Sequence, residues 1–288
     1  MTVKLGIIGG SGIGEMAGLE GAEHISATSS YGTPSSDILT GTLQGIEIAF
    51  LARHGKGHVI PPHKVNYRAN IDALKRIGVT DILSLSAVGS LQEQYAPGSF
   101  VIIDQYIDRT VQRQKTFFDE GCVGHVAMGT PICLRLNGFL AKACKAVGVK
   151  LHNGGTYLAM EGPQFSTRAE SELYRSWNCD IIGMTNMPEA KLAREAEICY
   201  AGIGMVTDYD CWRARDAEVD VSAILEILGK NAAHAQQLVK EMASLLSPKR
   251  DICEQGCDRA LEYAIINPPE ARNKESLKRL EAVAKRVL

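Results

Sequence analysis

Short apolar segments of strand length alternate along this chain with longer segments whose apolar residues recur at helical spacing. Such alternation is typical of α/β proteins, in which helices cover both faces of a sheet. The 288 residues suffice for one large domain or two small ones. Two of the main predicted strands begin at Leu5 and at Gly202, and the others span 46–52, 81–87, 100–104, 155–160 and 181–185. Three of the main predicted helices span 65–77, 136–147 and 219–246, and a fourth begins at Pro188.

The segment from Gly202 to Trp212 begins as a glycine-spaced apolar run and then places Asp208 and Asp210 two residues apart. In an extended chain, residues i and i+2 point to the same side. Two neighbouring carboxylates resist ionising together, and burial raises their proton affinity further. One of them could then hold a proton for a leaving group. Two solvated acids at a strand end would have the same spacing, so both interpretations stay open at this point.

Other strand ends carry groups that suit an anion. A glycine-rich loop after the first strand includes Ser11, and such loops bring backbone N–H groups close to a phosphate. A dinucleotide fingerprint fits poorly because Glu15 stands where a third glycine is needed, and a simple tight turn is the alternative. Arg53 and His54 follow the strand 46–52, and a small-residue loop is predicted from Ser86 to Ser90.

Metal binding is not expected from the sequence. His54, His58 and His63 are spaced by four and five residues across a loop with two prolines, which fits no ligand pattern. Cys253 and Cys257 could bind a metal or form a redox pair. With no second cysteine pair or histidine cluster beside them in the sequence, ordinary thiols are favoured.

Charge and hydropathy limit the possible partners. The formal net charge is -2, so there is no electrostatic footprint for nucleic acid or for an anionic membrane. No apolar run approaches the ~20 residues of a spanning helix, and the first residues lack the pattern of a signal peptide. We therefore expect a cytoplasmic protein with reduced thiols and with neither a nucleic-acid nor a membrane partner.

Eleven short motifs occur along the chain in one order without large gaps, between roughly Lys4 and Leu246. They are Gly6–Gly12, Ala52–Gly55, Lys64–Tyr67, Ser86–Leu91, Val101–Gln105, Asp108–Thr110, Glu161–Ser166, Arg168–Glu170, Met184–Thr185, Pro188–Glu189 and Thr207–Trp212. Together these motifs resemble the methylthioadenosine phosphorylase branch of the trimeric purine nucleoside phosphorylase family. The resemblance implies a single α/β domain with a central mixed, twisted β-sheet flanked by helices.

The resemblance implies reversible phosphorolysis of an N-glycosidic bond, with inorganic phosphate as co-substrate and no other cofactor. Phosphate would stabilise and then capture an oxocarbenium-like centre, while Asp208 protonates or hydrogen-bonds purine N7. Ser11 and Ser86 stand where the family often has threonine, and both keep the hydroxyl. By matching position, the phosphate site is Ser11, Arg53, His54, Ser86, Ala87 and Thr185.

The resemblance also implies how the nucleoside is bound. Met184 would lie against the ribose, and Phe165 would form part of the wall of the site. Asp210 would accept a hydrogen bond from the adenine 6-amino group. Relatives that act on 6-oxopurines carry Glu in place of Ser166 and Asn in place of Asp208, so this chain favours adenine. An apolar slot for the 5'-methylthio group would consist of Val221, Ile224 and Leu225, with His125 reaching in from a neighbouring subunit. 5'-Deoxyadenosine is then a plausible second substrate.

The pattern of the family ends near Leu246, so we divide the chain into a phosphorylase domain, 1–246, and a helical C-terminal extension, 247–288. The extension is expected to pack on the domain or on an oligomer, a trimer or a dimer of trimers. Other functions stay possible: a phosphorylase for methylthioinosine or general purine nucleosides, an NAD-dependent oxidoreductase resting on the glycine loop, and a non-catalytic nucleotide-binding protein.

Overall fold

The computed structural model describes residues 2–10, 18–213 and 221–288, with the backbone alone for 221–225. These residues form eleven strands and six α-helices. The strands are β1 (Lys4–Gly9), β2 (Glu20–Ile25), β3 (Ile38–Leu43), β4 (Ile46–Ala52), β5 (Asp81–Ser90), β6 (Phe100–Ile102), β7 (Gln105–Asp108), β8 (Leu151–Asn153), β9 (Thr156–Ala159), β10 (Ile181–Gly183) and β11 (Cys199–Tyr209). The helices are α1 (Tyr67–Arg76), α2 (Leu134–Val147), α3 (Arg168–Ser176), α4 (Asn186–Glu195), α5 (Val221–Leu245) and α6 (Lys274–Ala284).

All the strands belong to one mixed sheet, in which β5 is central. The order along the main path is β2-β3-β4-β1-β5-β10-β9-β7. Outside this path, β11 pairs with β5 and with β6, and β8 pairs with β6. β1 and β11 both run parallel to β5, whereas β10 pairs antiparallel with its last two residues. β5 is buried along most of its length because strands lie on both sides and helices cover both faces.

Successive side chains of the strands pack in two cores, one on each face of the sheet. Ile8 and Ile82 pack in the core beneath α1 and α4, while Ile7 and Leu83 pack in the core beneath α2 and α5. The predicted helical ends at Gly78 and Gly148 are confirmed, since both adopt the left-handed conformation that suits glycine. The predicted single-domain α/β fold, with a mixed sheet between helices, is confirmed.

Two local predictions are wrong. The loop expected from Ser86 to Ser90 is the second half of β5, because β11 and β10 supply backbone partners on its two sides. Small residues that favour a loop in isolation are overridden by this pairing. β2, β3, β7 and β8 are missing from the prediction. β2 is an exposed edge strand of polar sequence without apolar alternation, and β7 and β8 have only four and three residues.

Residues after Leu246 lie against the rest of the chain. α6 contacts α1 and places Leu280 and Val283 in the core that α1 covers. Cys253 and Cys257 belong to the core on the opposite face. Among the described residues, none of the helices combines the length and apolar character required to cross a membrane.

Candidate active site

A cavity of about 270 Å³ opens at the carboxyl ends of the central strands. β1, β4, β5 and β11 run parallel, so their ends meet at one edge of the sheet, where ligands of α/β proteins gather. The residues that line this cavity include Gly10, Arg53, His54, His58, Ser86, Ala87, Gly89, Met160, Phe165, Met184, Thr185, Met205, Thr207, Asp208, Asp210 and Leu228. The structure therefore brings together nine of the predicted site residues: Arg53, His54, Ser86, Ala87, Phe165, Met184, Thr185, Asp208 and Asp210.

A β-bulge positions the two acids at the end of β11. Val206 pairs with Val88 of β5, but the next pair joins Asp208 to Gly89, so that Thr207 is an extra residue in the ladder. Bulges bend a strand and re-aim its side chains, often beside active sites. Gly89 leaves the space that the acids use: a Cβ there would lie 3.3 Å from Asp208 Oδ2 and 3.6 Å from Asp210 Cβ.

Asp208 holds a proton unusually well for a carboxylic acid. Burial raises its pKa to about 6, and the nearby charge of Asp210 adds to the shift. The hydroxyl of Thr207 lies 2.6 Å from Asp208 Oδ1 and acts in the opposite direction by donating to the carboxylate. A carboxyl group with a pKa this close to neutrality can serve as a general acid.

Asp210 is more deeply buried than Asp208, with 4% of the residue exposed. Burial raises the pKa of Asp210 above its ordinary value, although Ser171 and Ser166 hydroxyls beside the carboxylate lower it in part. Its Oδ2 atom is buried without a hydrogen-bond partner of ordinary geometry among the described residues. An acceptor of this kind at a cavity wall suits a ligand that supplies an N–H donor.

Arg53 is held at the opposite part of the cavity by Glu189 of α4. Its Nε and Nη2 atoms donate to the two carboxylate oxygens at 2.7 and 3.1 Å, and both side chains are almost fully buried. Nη2 also donates to Ser84 and Nη1 to the Leu85 carbonyl. Of the five guanidinium N–H groups, one on Nη1 is thus left for a ligand. Burial alone lowers the pKa of Arg53, but the charge of Glu189 raises it above its usual range.

His54 lies beside Arg53 and is neutral at neutral pH. Burial and the Arg53 charge lower its pKa to about 4. Nδ1 lies 2.8 Å from the carbonyl oxygen of Ile60, which can only accept, so Nδ1 carries the hydrogen. Nε2 of the neutral ring consequently has a lone pair. The ring of His58 stacks on His54 with centroids 4.2 Å apart.

Hydroxyl groups from two elements meet next to this arginine. Ser86 Oγ lies 3.1 Å from Thr185 Oγ1, and both hydroxyls are within hydrogen-bond distance of Asn186 Oδ1, at 2.6 and 3.3 Å. Ala87 is exposed although its neighbours Ser86 and Val88 are buried, because it faces the cavity. These groups and Arg53 form one pole of the cavity, which we call the anion pole: Arg53, His54, Ser86, Ala87 and Thr185.

The other predicted site residues fall into three groups: some line the cavity, some lie outside the described residues, and one lies in a different hollow. Met184 and Phe165 line the cavity, and Phe165 is 56% exposed at its mouth. Ser11 lies outside the described residues, as do the side chains of Val221, Ile224 and Leu225. His125 lines a different hollow, next to Arg259 and Tyr263 near the C-terminal segment. Its expected role in a neighbouring subunit concerns a contact between chains and stays a prediction.

Several residues that build the site are not among the predicted site residues. Glu189 and Asn186 are in α4 and fix Arg53 and the hydroxyls, respectively. Arg113, in the predicted loop 109–133, donates to the carbonyl oxygens of Met184 and Met187 at 2.6 and 2.7 Å. The signal that could have indicated Glu189 is its place in the motif Pro188–Glu189 of the family resemblance.

Comparison with known proteins identifies relatives over the full chain. The sequence model of the phosphorylase superfamily matches residues 4–244. An S-methyl-5'-thioadenosine phosphorylase from Cereibacter sphaeroides is 57% identical over 288 residues, which are 100% of this chain and 99% of the relative. A protein of the same name from Rhodospirillum rubrum is 54% identical over 284 residues, which are 99% of this chain and 97% of the relative.

Solved structures show the same fold. A methylthioadenosine phosphorylase from an antarctic soil metagenomic library superimposes with a TM-score of 0.91 at 46% identity, covering 98% of this chain and 99% of that one. Methylthioadenosine phosphorylase from Schistosoma mansoni in complex with adenine gives a TM-score of 0.85 at 35% identity, covering 91% and 99%. A mutant of the Schistosoma mansoni enzyme in complex with methylthioadenosine gives 0.79 at 36% identity, covering 86% and 93%.

Proposed function

The chain belongs to the phosphorylase superfamily, and we propose that it catalyses the reversible phosphorolysis of 5'-methylthioadenosine to adenine and 5-methylthioribose 1-phosphate. The observation that carries this proposal is one cavity with an anion pole at one part and the acids Asp208 and Asp210 at another. The full-length relatives named S-methyl-5'-thioadenosine phosphorylase support the choice of substrate. The reaction makes the protein a pentosyltransferase that needs phosphate as its second substrate.

The spacing of the two poles suits a nucleoside between them. Ser86 of the anion pole and Gly89, which pairs with Asp208, are three residues apart on β5. At about 3.3 Å per residue, the poles are separated by roughly 10 Å. A ribose ring fits in this interval, with phosphate beneath its C1' atom and the purine against the acids. Met184 then lies against the sugar.

Phosphate acts as both electrostatic stabiliser and nucleophile. As the glycosidic bond breaks, positive charge develops at C1', and an anion held nearby lowers the energy of that state. The free N–H of Arg53 and the hydroxyls of Ser86 and Thr185 can orient the phosphate oxygens. Neutral His54 accepts a hydrogen bond at Nε2, so it favours a phosphate that retains a proton. Ser11 completes this set in the proposal.

Asp208 supplies the proton that the departing base needs. A purine anion is a poor leaving group, and protonation at N7 makes it neutral. With a pKa of about 6, roughly one Asp208 in ten is protonated at neutral pH in the free enzyme. The approach of purine N7 stabilises that form by accepting its hydrogen. General acid help of this kind contributes about 10²–10⁴ in rate.

Selection of adenine rests on Asp210 and Ser166. The unpartnered Oδ2 of Asp210 accepts from the 6-amino group in this proposal. A 6-oxo group in its place would set two acceptors against each other and leave the buried carboxylate unpaired, which is strongly unfavourable. Ser166 has no carboxylate to accept from N1–H of a 6-oxopurine, and its Oγ lies 3.7 Å from the sulfur of Met160.

The 5' end of the nucleoside faces a slot that we assign to Val221, Ile224 and Leu225, completed by His125 of a neighbouring subunit in a homotrimer. This arrangement rests on the family resemblance. Leu228, one turn further along α5, lines the cavity and supports an apolar end. An apolar slot accepts a methylthio or a methyl group but gains nothing from a hydroxyl, so 5'-deoxyadenosine should also react.

The proposal is tested by measuring free base released from methylthioadenosine, methylthioinosine, adenosine and inosine in parallel, with and without phosphate. Adenine release from methylthioadenosine that depends on phosphate, at least 100-fold faster than hypoxanthine release from methylthioinosine, is the expected result. Release without phosphate would identify a hydrolase instead. Equal rates for the 6-amino and 6-oxo nucleosides would overturn the roles of Asp210 and Ser166.

A further inference from the structure

Four cysteines from three distant parts of the chain meet in one buried cluster. Cys133, Cys199, Cys253 and Cys257 are each no more than 1% exposed, and their sulfur atoms all lie within 4.8 Å of one another. The Sγ atoms of Cys133 and Cys253 are 3.7 Å apart. In the sequence, no further cysteine or histidine stands near Cys253 and Cys257, but in space Cys133 and Cys199 complete a set of four.

The geometry points to a structural Zn²⁺ site, and we propose that this tetrathiolate cluster binds one zinc ion per chain. A tetrahedral Zn²⁺ site with Zn–S bonds of about 2.3 Å has sulfur atoms about 3.8 Å apart. The observed pair at 3.7 Å matches that edge length. Cys253 and Cys257 have the Cys-x3-Cys spacing found in zinc sites, and Gly256 closes the turn between them with a positive φ of 66°.

The surroundings of the cluster suit thiolates. Arg250 Nη2 lies 3.5 Å from Cys199 Sγ, and Arg135 also faces this sulfur. Both arginines bind Asp81 as well. Cys133 is also well placed to be a thiolate, because it is the N-cap of α2, where the helix dipole stabilises negative charge.

The site would be structural rather than catalytic. Cys199 is the first residue of β11, and Asp208 follows nine residues later on the same strand. At about 3.3 Å per residue, the ion would lie roughly 30 Å from the catalytic acid. All four positions around it are taken by protein sulfur, with no open position for a substrate. Its effect is to fasten the segment 250–258 to the start of α2 and of β11.

The first test is zinc content. Untagged full-length protein is expressed with zinc in the medium, purified with a phosphine reductant and analysed by elemental mass spectrometry. We expect one zinc per chain, falling to near zero in the double variant Cys253→Ser/Cys257→Ser. Cys144→Ser is the matched control: Cys144 is equally buried and lies in α2 outside the cluster, so this variant should retain its zinc.

The second test does not depend on a folded variant. Wild-type protein is refolded with Co²⁺ in place of Zn²⁺, and the intense visible bands of tetrahedral thiolate-bound cobalt should appear and bleach on addition of zinc. Zinc removal should also expose residues 247–288 to limited proteolysis while kcat per intact chain stays unchanged. The proposal is overturned if wild-type protein holds no stoichiometric metal, whether its eight cysteines titrate as free thiols or some form disulfides.

Discussion

Glu189 binds the guanidinium of Arg53 through both carboxylate oxygens, in a pair that is almost entirely removed from solvent. The pair has two consequences: it orients the one free N–H of Arg53 toward the cavity, and it balances a charge that would otherwise be buried alone. Removing one partner of a buried ion pair typically costs about 3–5 kcal/mol. The anion pole therefore depends on a residue that does not itself line the cavity.

Glu189→Gln should lower the free energy of unfolding by about 3 kcal/mol and raise the KM for phosphate more than the KM for nucleoside. The amide keeps the shape but loses the charge and one acceptor. Urea unfolding and initial rates at varied phosphate measure the two effects. Glu195→Gln is the matched control, because Glu195 lies in the same helix and is also buried but has no cationic partner among its hydrogen bonds to Thr116 and Phe117. Equal destabilisation by both variants would refute the role of the ion pair.

Asp208→Asn should reduce kcat for methylthioadenosine by about 10²–10⁴ with a smaller change in KM, because the amide cannot release a proton to N7. The wild-type kcat/KM should fall as the pH rises through about 6, since the protonated acid is the active form. In the variant this limb should be absent. A limb that persists unchanged in Asp208→Asn would assign the titration to phosphate or to another group.

Gly89→Ala tests the space between β5 and the acids. The added methyl group would lie 3.1 Å from Ile182 Cγ2 and 3.3 Å from Asp208 Oδ2, closer than ordinary contacts. Asp208 must then shift, and we expect kcat/KM to fall about tenfold or more, as for other small misplacements of catalytic groups. Gly138→Ala is the control, because a Cβ there meets no atom within 4 Å and the position is helical. Unchanged kinetics in Gly89→Ala would show that the acids have room to spare.

The sequence predicted the strand-end chemistry because each of those signals is local. Arg53 directly follows an apolar strand, and Asp208 and Asp210 end another, so the alternation of strands and helices was enough to bring them to one edge of the sheet. The residues that hold them were not accessible in this way. Glu189 is 136 residues from Arg53 in the sequence, and Cys133 is 120 residues from Cys253. Such pairs exist only once the chain is folded.

The bulge at Thr207 likewise depends on contacts that form only when the chain is folded. No residue in the sequence Val206-Thr-Asp requires an interrupted ladder, and the register shift becomes visible only opposite Val88 and Gly89 of β5. The length of β5 also follows from its neighbours, since β10 pairs with its final residues. Local propensity therefore gave the identity of the site residues, while pairing between strands determined how their side chains are aimed.

Glu195→Gln should flatten the dependence of stability on pH. Burial raises the pKa of Glu195 to about 7, above its ordinary 4.5. The folded state therefore binds more protons than the unfolded state between these values, and the free energy of unfolding falls as the pH rises through this range. Urea unfolding between about pH 5 and 8 should show a less negative slope in the variant. An identical slope in both proteins would mean that Glu195 is ionised throughout.

Arg113 should act as a positioning residue for the sugar side of the cavity. Arg113 is 8% exposed, and its guanidinium donates to four carbonyl oxygens, those of Met160, Glu161, Met184 and Met187, as well as to the Glu161 carboxylate. Lysine keeps the charge, but its single ammonium has three donors and cannot span these acceptors. Unpaired buried carbonyl groups cost about 1–3 kcal/mol each.

Arg113→Lys should therefore lower the free energy of unfolding by about 3 kcal/mol and raise the KM for methylthioadenosine, because Met184 lies against the ribose in the proposed complex. The KM for phosphate and the pH of the Asp208 limb should change little. Arg109→Lys, four residues away in the same stretch of chain, is the control, since the Arg109 guanidinium stacks on the ring of Trp177 outside the cavity. A loss of stability without any change in nucleoside KM would show that Arg113 supports the fold but does not position the substrate.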